Sequence, residues 1–210
     1  IFSQGLVFRP MGRKTNRKVE SMRNNLKHQK RKEELLRFAA ESFRKHGFER
    51  TRLKDIAEMA NMTKATLYHY FKSKNEILYF CQEESCRRML QSALQIARLP
   101  QRADTKLFLI CLAHMKCILD ELYGSAAHIE FISLPQDKLK KIIRLRDSYE
   151  HIVRKIIDEG IRRKVFRTVN SKIVTFAILG ALNWTARWFK PDGGSSVHEI
   201  SNAFAEYLVA

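Results

Sequence analysis

The stretch TRLKDIAEMANMTKATLYHYFKSKNEIL, Thr51 to Leu78, constrains the fold of this chain more than any other. Its first part carries Leu53, Ile56, Ala57 and Ala60 at helical spacing, a break falls at ANMT, and a second short segment ends in crowded aromatics. Thr63 stands where an N-cap belongs, because its hydroxyl can accept from a free N–H in the first turn of a helix over roughly Lys64 to Phe71. Upstream, from Lys30 to His46, Leu35, Leu36, Ala39, Ala40 and Phe43 recur three and four residues apart, and Gly47 follows as a stop. Two short helices joined by a tight turn and packed on a longer one make a helix-turn-helix unit. In such a unit the second short helix enters the DNA major groove while the first braces it across the backbone.

A helical wheel divides TLYHYF between core and surface. Leu67 and Phe71 share the face that packs on Leu35, Ala39, Phe43 and Ile56. Ala65, Thr66 and His69 fall opposite, Tyr68 and Tyr70 flank them, and Lys64 projects from the N-terminal tip. Small residues at 65 and 66 let the backbone approach base edges, where an alanine or threonine methyl meets the thymine methyl. Tyrosine hydroxyls and lysines suit phosphate oxygens, which position a protein without reading sequence. The plainer alternative keeps Tyr68 and Tyr70 as core residues with wet hydroxyl ends.

Charge favours the nucleic-acid reading. The 210-residue chain has a formal net charge of +17. Residues 1–74 hold 19 Lys and Arg against 7 Asp and Glu, whereas residues 75–210 hold 20 against 15. Arg9 to Lys32 alone contains ten basic residues and one acidic. A concentrated positive field attracts a polyanion through counterion release. A merely solubilising tail, or an anionic lipid surface, are the other readings, but the segment has few large apolar residues to insert.

Beyond Leu78 the pattern stays helical, and no strand alternation or internal repeat interrupts it. Apolar periodicity marks helices near Asn75–Arg98, Thr105–Leu122, Ala126–Ser133, Lys138–Ile161, Ser171–Phe189 and Val197–Val209. Pro100, Gly124, Pro135, Gly160, Pro191 and Gly193–Gly194 punctuate them. The expected fold class is all-α with about nine helices. Ile173 to Ala186 is the most apolar run, but Thr175, Asn183 and Thr185 interrupt it and it is too short to span a bilayer. Cys81, Cys86, Cys111 and Cys117 lack metal-ligand or disulfide-framework spacing, so no metal or cofactor and a reducing, cytoplasmic location are expected. The basic N-terminus has no long apolar core of a secretory signal, and residues 1–10 could be a leader ahead of Met11. The seven histidines, His28, His46, His69, His114, His128, His151 and His198, match no catalytic spacing, so the chain is not expected to be an enzyme.

LLRFAAESFRKHGFERTRLKDIAEMANMTKATLYHYFKSKNEIL, Leu35 to Leu78, resembles the DNA-binding domain of the TetR/AcrR family of bacterial transcriptional regulators. The matching elements are Ala39–Ala40, Phe43, Gly47–Phe48, Asp55–Ile56–Ala57, Thr63, Thr66–Leu67–Tyr68, Phe71, Lys74 and Leu78. The resemblance implies three parts: a basic, flexible tail over 1–29, a helix-turn-helix domain over 30–76, and a ligand-binding and dimerisation domain over 77–210. It implies a homodimer on a palindromic double-stranded operator, with DNA contacts from Lys54, Lys64, Ala65, Thr66, Tyr68, Tyr70 and Lys74, to which the reading of the residues themselves adds Arg52, Thr63 and His69. Arg52 departs from the pattern, since the family has Ser or Thr there to form a capping box with Asp55. Either Thr51 caps one residue early or Arg52 reaches a phosphate itself.

The last two helices carry Ala177, Gly180, Ala181, Ile200, Phe204 and Leu208, small and apolar residues that either pack within one subunit or, as the resemblance implies, form a four-helix interface between two copies. AILGALNWTARWFKPDGGSSVHEIS, Ala177 to Ser201, resembles the C-terminal end of regulators that respond to acyl-CoA thioesters of fatty-acid, aromatic or sterol breakdown. On that resemblance Phe80, Phe108, Cys111, Leu112 and Met115 would line an acyl pocket, and Arg187, Arg162 or Arg163 would face CoA phosphates. Trp184 and Trp188 would pack on the acyl chain or, equally, sit at the dimer seam. A repressor of a multidrug efflux system, using Glu83, Glu84, Glu121 or Glu130 against cationic drugs, is the main alternative. A non-specific architectural nucleic-acid-binding protein would explain the charge but not the ordered helix-turn-helix.

Overall fold

The computed structural model describes residues 13–119, 134–190 and 193–209, and among them every regular element is a helix. The expected short helix near Ala126–Ser133, together with Glu121, Glu130 and His128, lies outside the described residues, as does the segment ahead of Met11. Eight helices are described: α1 Arg13–His46, α2 Leu53–Met59, α3 Lys64–Tyr68, α4 Lys74–Ala97, α5 Ala103–Leu119, α6 Gln136–Arg162, α7 Ser171–Trp188 and α8 Val197–Val209.

The first helix begins at Arg13 rather than Lys30, so the segment expected as a flexible tail is helical from Arg13 onward. No glycine or proline falls between Gly12 and Gly47, and charge alone does not break a helix. Gly47 ends it with φ +78°, and its N–H donates to Phe43 O at 2.9 Å. Leu35, Ala39, Ala40 and Phe43 on its C-terminal part are buried together with Ile56, Ala57, Leu67 and Phe71.

Helix α2 ends in a left-handed residue, Asn61 at φ 51°, with the Met62 N–H donating back to Ala57 O at 2.9 Å. That geometry turns the chain sharply without a glycine, since asparagine tolerates the left-handed region. Helix α3 is shorter than expected: after Tyr68 the chain tightens, with the His69 and Tyr70 N–H groups bonding three residues back to Thr66 O and Leu67 O. Ser73 then caps α4, its hydroxyl accepting from the Glu76 N–H at 3.1 Å.

In the larger part of the molecule α4 packs on α5 and α6, and α5 packs on α6, α7 and α8. One apolar core runs from Leu35 through Ile77, Ile110, Met115, Ile142 and Leu182 to Ala205. Gly160, expected as a break, lies buried inside α6, where a Cβ would run into the Phe166 ring and stand 3.0 Å from Ala103 Cβ. It is there for close approach, not for termination. Among the described residues no helix is long and apolar enough to cross a membrane.

Candidate functional site

The helix-turn-helix presents a polar surface around α3. Thr63 caps this helix: its hydroxyl accepts from the Thr66 N–H at 3.1 Å and lies 2.9 Å from the Thr66 hydroxyl. With the two hydroxyls bonded to each other, the Thr66 methyl is the group left to meet a base. Lys64, Ala65, Thr66, Tyr68 and His69 are exposed while Leu67 and Phe71 are 1% exposed, so the wheel's division holds residue by residue. Tyr68 carries the Lys64 ammonium 5.7 Å from its ring centre. Tyr70 is half-buried and stacks on His28 at 4.8 Å, which ties the turn after α3 to α1.

Thr51 does not cap α2. Its buried hydroxyl donates to Gly47 O at 2.8 Å, pinning the loop onto α1. The N-cap is Arg52, whose own N–H donates to the Asp55 carboxylate at 2.9 Å. A guanidinium has no acceptor and cannot complete the reciprocal half of a capping box, so the exposed Arg52 side chain is left facing solvent. Lys54 is exposed and pairs loosely with Glu58 at 3.4 Å. Lys74, expected on DNA, donates from its ammonium to Phe48 O at 2.6 Å and Glu49 O at 3.2 Å and covers the Phe48 ring. It clamps the loop between α1 and α2 to the start of α4.

The eight residues expected around an effector do not come together. Cys111 and Met115 are sealed in the core, Phe108 and Leu112 are half-buried, and Phe80 sits beside α1 under the Lys32 ammonium, 3.4 Å from its ring centre. Burial lowers the Lys32 pKa, opposed by Glu76 and Glu83. Trp184, Arg187 and Trp188 face outward.

A cavity of about 320 Å³ lies between α4, α5, α6 and α7. Met89, Leu145, Phe176 and Leu179 give it apolar walls, and Arg146, Asp147 and Asn183 add polar groups. At its inner end His114 and Tyr149 are 3% and 6% exposed, with His114 Nδ1 2.9 Å from the Tyr149 hydroxyl. Burial pushes the Tyr149 hydroxyl and the Cys86 thiol above their ordinary ranges. Neither His114 nor Tyr149 was legible as a site residue, because each falls on the apolar phase of its helix among ordinary core positions.

Helix α7 carries an apolar stripe on the outside. Ile173, Phe176 and Trp184 are 65%, 55% and 64% exposed, and Ala177, Gly180 and Trp188 continue the same face. A Cβ built on Gly180 meets nothing within 4 Å. A single soluble subunit rarely leaves so contiguous an apolar surface bare. Of the other residues expected at a subunit interface, Ala181, Ile200 and Phe204 are half-buried, with Phe204 stacked on Trp188 at 6.2 Å. Leu208 turns inward, onto a second cavity beside Val174 and Ile178.

A short exposed helix braced by two others, a basic surround and a larger helical body with a cavity are the parts of a ligand-responsive DNA-binding regulator. A family model for the tetracyclin repressor-like C-terminal domain matches residues 100–210, and one for bacterial regulatory proteins of the tetR family matches residues 35–79. The chain therefore belongs to the TetR family, whose members bind operator DNA as homodimers and respond to small molecules. The HTH-type transcriptional repressor KstR2 of Mycolicibacterium smegmatis is 27% identical over 191 residues, 83% of this chain and 86% of that protein. The fatty acid metabolism regulator protein of Bacillus subtilis is 24% identical, covering 84% and 93%. The crystal structure of PfmR from Thermus thermophilus matches with a TM-score of 0.77 at 30% identity, over 83% of this chain and 96% of that one. AibR in complex with isovaleryl coenzyme A and operator DNA shares the fold, with a TM-score of 0.75 at 21% identity over 85% and 98%.

Proposed function

We propose that this regulator is a cytoplasmic, non-enzymatic repressor, released from a palindromic operator when an acyl-CoA thioester enters the cavity between α4 and α7. The DNA contacts are assigned to Arg52, Lys54, Lys64, Ala65, Thr66, Tyr68 and His69, with Tyr70 at the rim. The two subunits meet along the apolar stripe of α7, with α8 beside it.

The cavity carries the effector reading. Its walls at Met89, Leu145, Phe176 and Leu179 are apolar, as an acyl chain requires. Tyr149 and Arg146 line the same cavity, and this reading assigns the hydroxyl to the thioester carbonyl and the guanidinium to an anionic group. The fatty-acid regulator of Bacillus subtilis and the acyl-CoA complex of AibR support this effector class. The efflux alternative loses two of its acids, since Glu83 pairs with Arg87 at 3.0 Å and Glu84 with Arg88 at 2.8 Å.

The test is release of the full chain from a duplex that it has itself selected from a random pool, titrated with acyl-CoAs from C4 to C16, aromatic thioesters and cationic dyes. At least one of the thioesters should release the operator complex. Release by the dyes alone, or by no thioester at all, would overturn the proposal.

A further inference from the structure

The part of α1 that precedes the core has no account in the helix-turn-helix. From Val19 to Lys30 every side chain is exposed, so about three turns of helix stand clear of the apolar core. A helical stretch without tertiary packing is marginal in water. Between Arg13 and Lys30 the sequence holds seven Lys and Arg and one acid, Glu20. Among the described residues Arg23, Lys27 and Lys30 have no carboxylate partner.

Two contacts fix where this segment leaves the domain. The Arg31 guanidinium donates to Ala60 O at 2.8 Å, at the end of α2, and His28 stacks on Tyr70 just past α3. The extension therefore emerges beside the reading helix. From His28 back to Arg13 it reaches about 22 Å at the α-helical rise, roughly two-thirds of a DNA turn. Ser21, Asn24 and Asn25 share the face of His28, and Val19, Met22 and Leu26 lie opposite.

We propose that the N-terminal part of α1 is a second DNA-contacting element, lying along the phosphate backbone beside the half-site read by α3 and completing its own helix there. The inference rests on the operator-binding reading of the helix-turn-helix. Its contacts are electrostatic, so it adds affinity and salt dependence without adding sequence preference.

The full chain and its R23Q/K27Q/K30Q variant are compared by fluorescence anisotropy on the selected duplex and on a scrambled one, from 50 to 300 mM salt. Three lost phosphate contacts per subunit, six per dimer, should lower the slope of log K against log salt by about five. Discrimination between the duplexes should stay unchanged. The substituted side chains touch nothing in the core, so the thermal transition should not move, and the R23K variant should keep the wild-type slope. A slope within one of wild type overturns the proposal. So does a variant that keeps its DNA slope and instead loses binding to phosphatidylserine vesicles, which would make the stripe at Val19, Met22 and Leu26 a lipid face. Failure of the underlying reading looks different, because the wild-type chain would then not distinguish the two duplexes at all.

Discussion

Replacing Tyr149 by phenylalanine removes one oxygen and isolates the polar centre of the cavity. In the native chain that hydroxyl lies 2.9 Å from His114 Nδ1, and both residues are buried. The variant keeps the ring and its packing, so the cavity term of a large-to-small change does not arise. What changes is that the buried His114 Nδ1 loses this partner. Leaving a buried polar atom unmade costs roughly 1–3 kcal/mol, whereas removing both partners together can be nearly neutral. The prediction is therefore a sign pattern: Y149F destabilises, H114L destabilises, and the double variant is more stable than the two single effects added together, with a coupling of about 0.5–3 kcal/mol. Urea denaturation at one fixed protomer concentration reads it, because dimer dissociation makes the midpoint concentration-dependent. With a urea slope near 2 kcal/mol per molar, the single variant should shift the midpoint by about 0.5–1.5 M. Strictly additive effects, or a neutral Y149F, would refute the pairing of these two groups. The same variant should also weaken release by acyl-CoA about tenfold while leaving operator affinity unchanged.

Other variants separate structural roles from functional ones. Lys74→Met should destabilise by roughly 1.5–3 kcal/mol, the range for hydrogen bonds from a charged donor, while leaving the salt slope of operator binding unchanged; a drop in slope with no stability loss would return Lys74 to the DNA contacts. Gly160→Ala should be net destabilising despite a helix-propensity gain of about 1 kcal/mol, because its Cβ meets the Phe166 ring and Ala103, and in an F166A background the same change should cost less. Trp184→Glu should shift the chain from dimer to monomer in size-exclusion chromatography with light scattering, and lower operator affinity about tenfold or more as each head binds alone. Burial raises the Cys81 thiol and pushes Cys111 to about 12, so at pH 8 a thiol reagent should leave both unreacted until the chain is denatured. A thiol held protonated in the fold stabilises it below the unfolded value near 9 and loses that contribution as pH rises toward 12. Urea midpoints should accordingly fall over that range.

The DNA-binding half was legible because its constraints are local. Thr63 as a cap, Gly47 as a stop, and the phase of Leu67 and Phe71 all lie within a few residues of what they control. Arg52 and Lys74 resisted reading for the opposite reason. Whether each serves backbone or phosphate depends on where a loop passes, and Lys74 meets carbonyls about 25 positions away. The length of α1 was missed because apolar spacing was the guide, and its first turns have no core to face. The cavity was illegible on the same grounds: Phe108, Cys111 and Met115 share a helix with His114, and only the packing of α6 and α7 decides which of them meets empty space.

Helix α4 joins the two halves, and its contacts say what an effector can move. Its first turn is held to the loop between α1 and α2 by Lys74, and Phe80 sits with Phe71, their ring centres 6.0 Å apart, beneath the Lys32 ammonium. About two turns further along, Cys86 and Met89 form a wall of the cavity. An effector that displaces that wall therefore acts on a rod whose other end carries the helix-turn-helix. Displacement alone regulates nothing, since a ligand shifts an equilibrium only by its difference in affinity for the two states. The reciprocal consequence is measurable: operator DNA must weaken effector binding by the same factor by which effector weakens operator binding. Lys32, half-buried over the two rings at the junction, offers a place to break that coupling. K32M keeps the apolar stem, removes the cation, and should leave both binding constants intact while reducing the factor that links them. Equal factors in the variant and the native chain would show that the rings and Lys74 transmit the shift without the Lys32 charge.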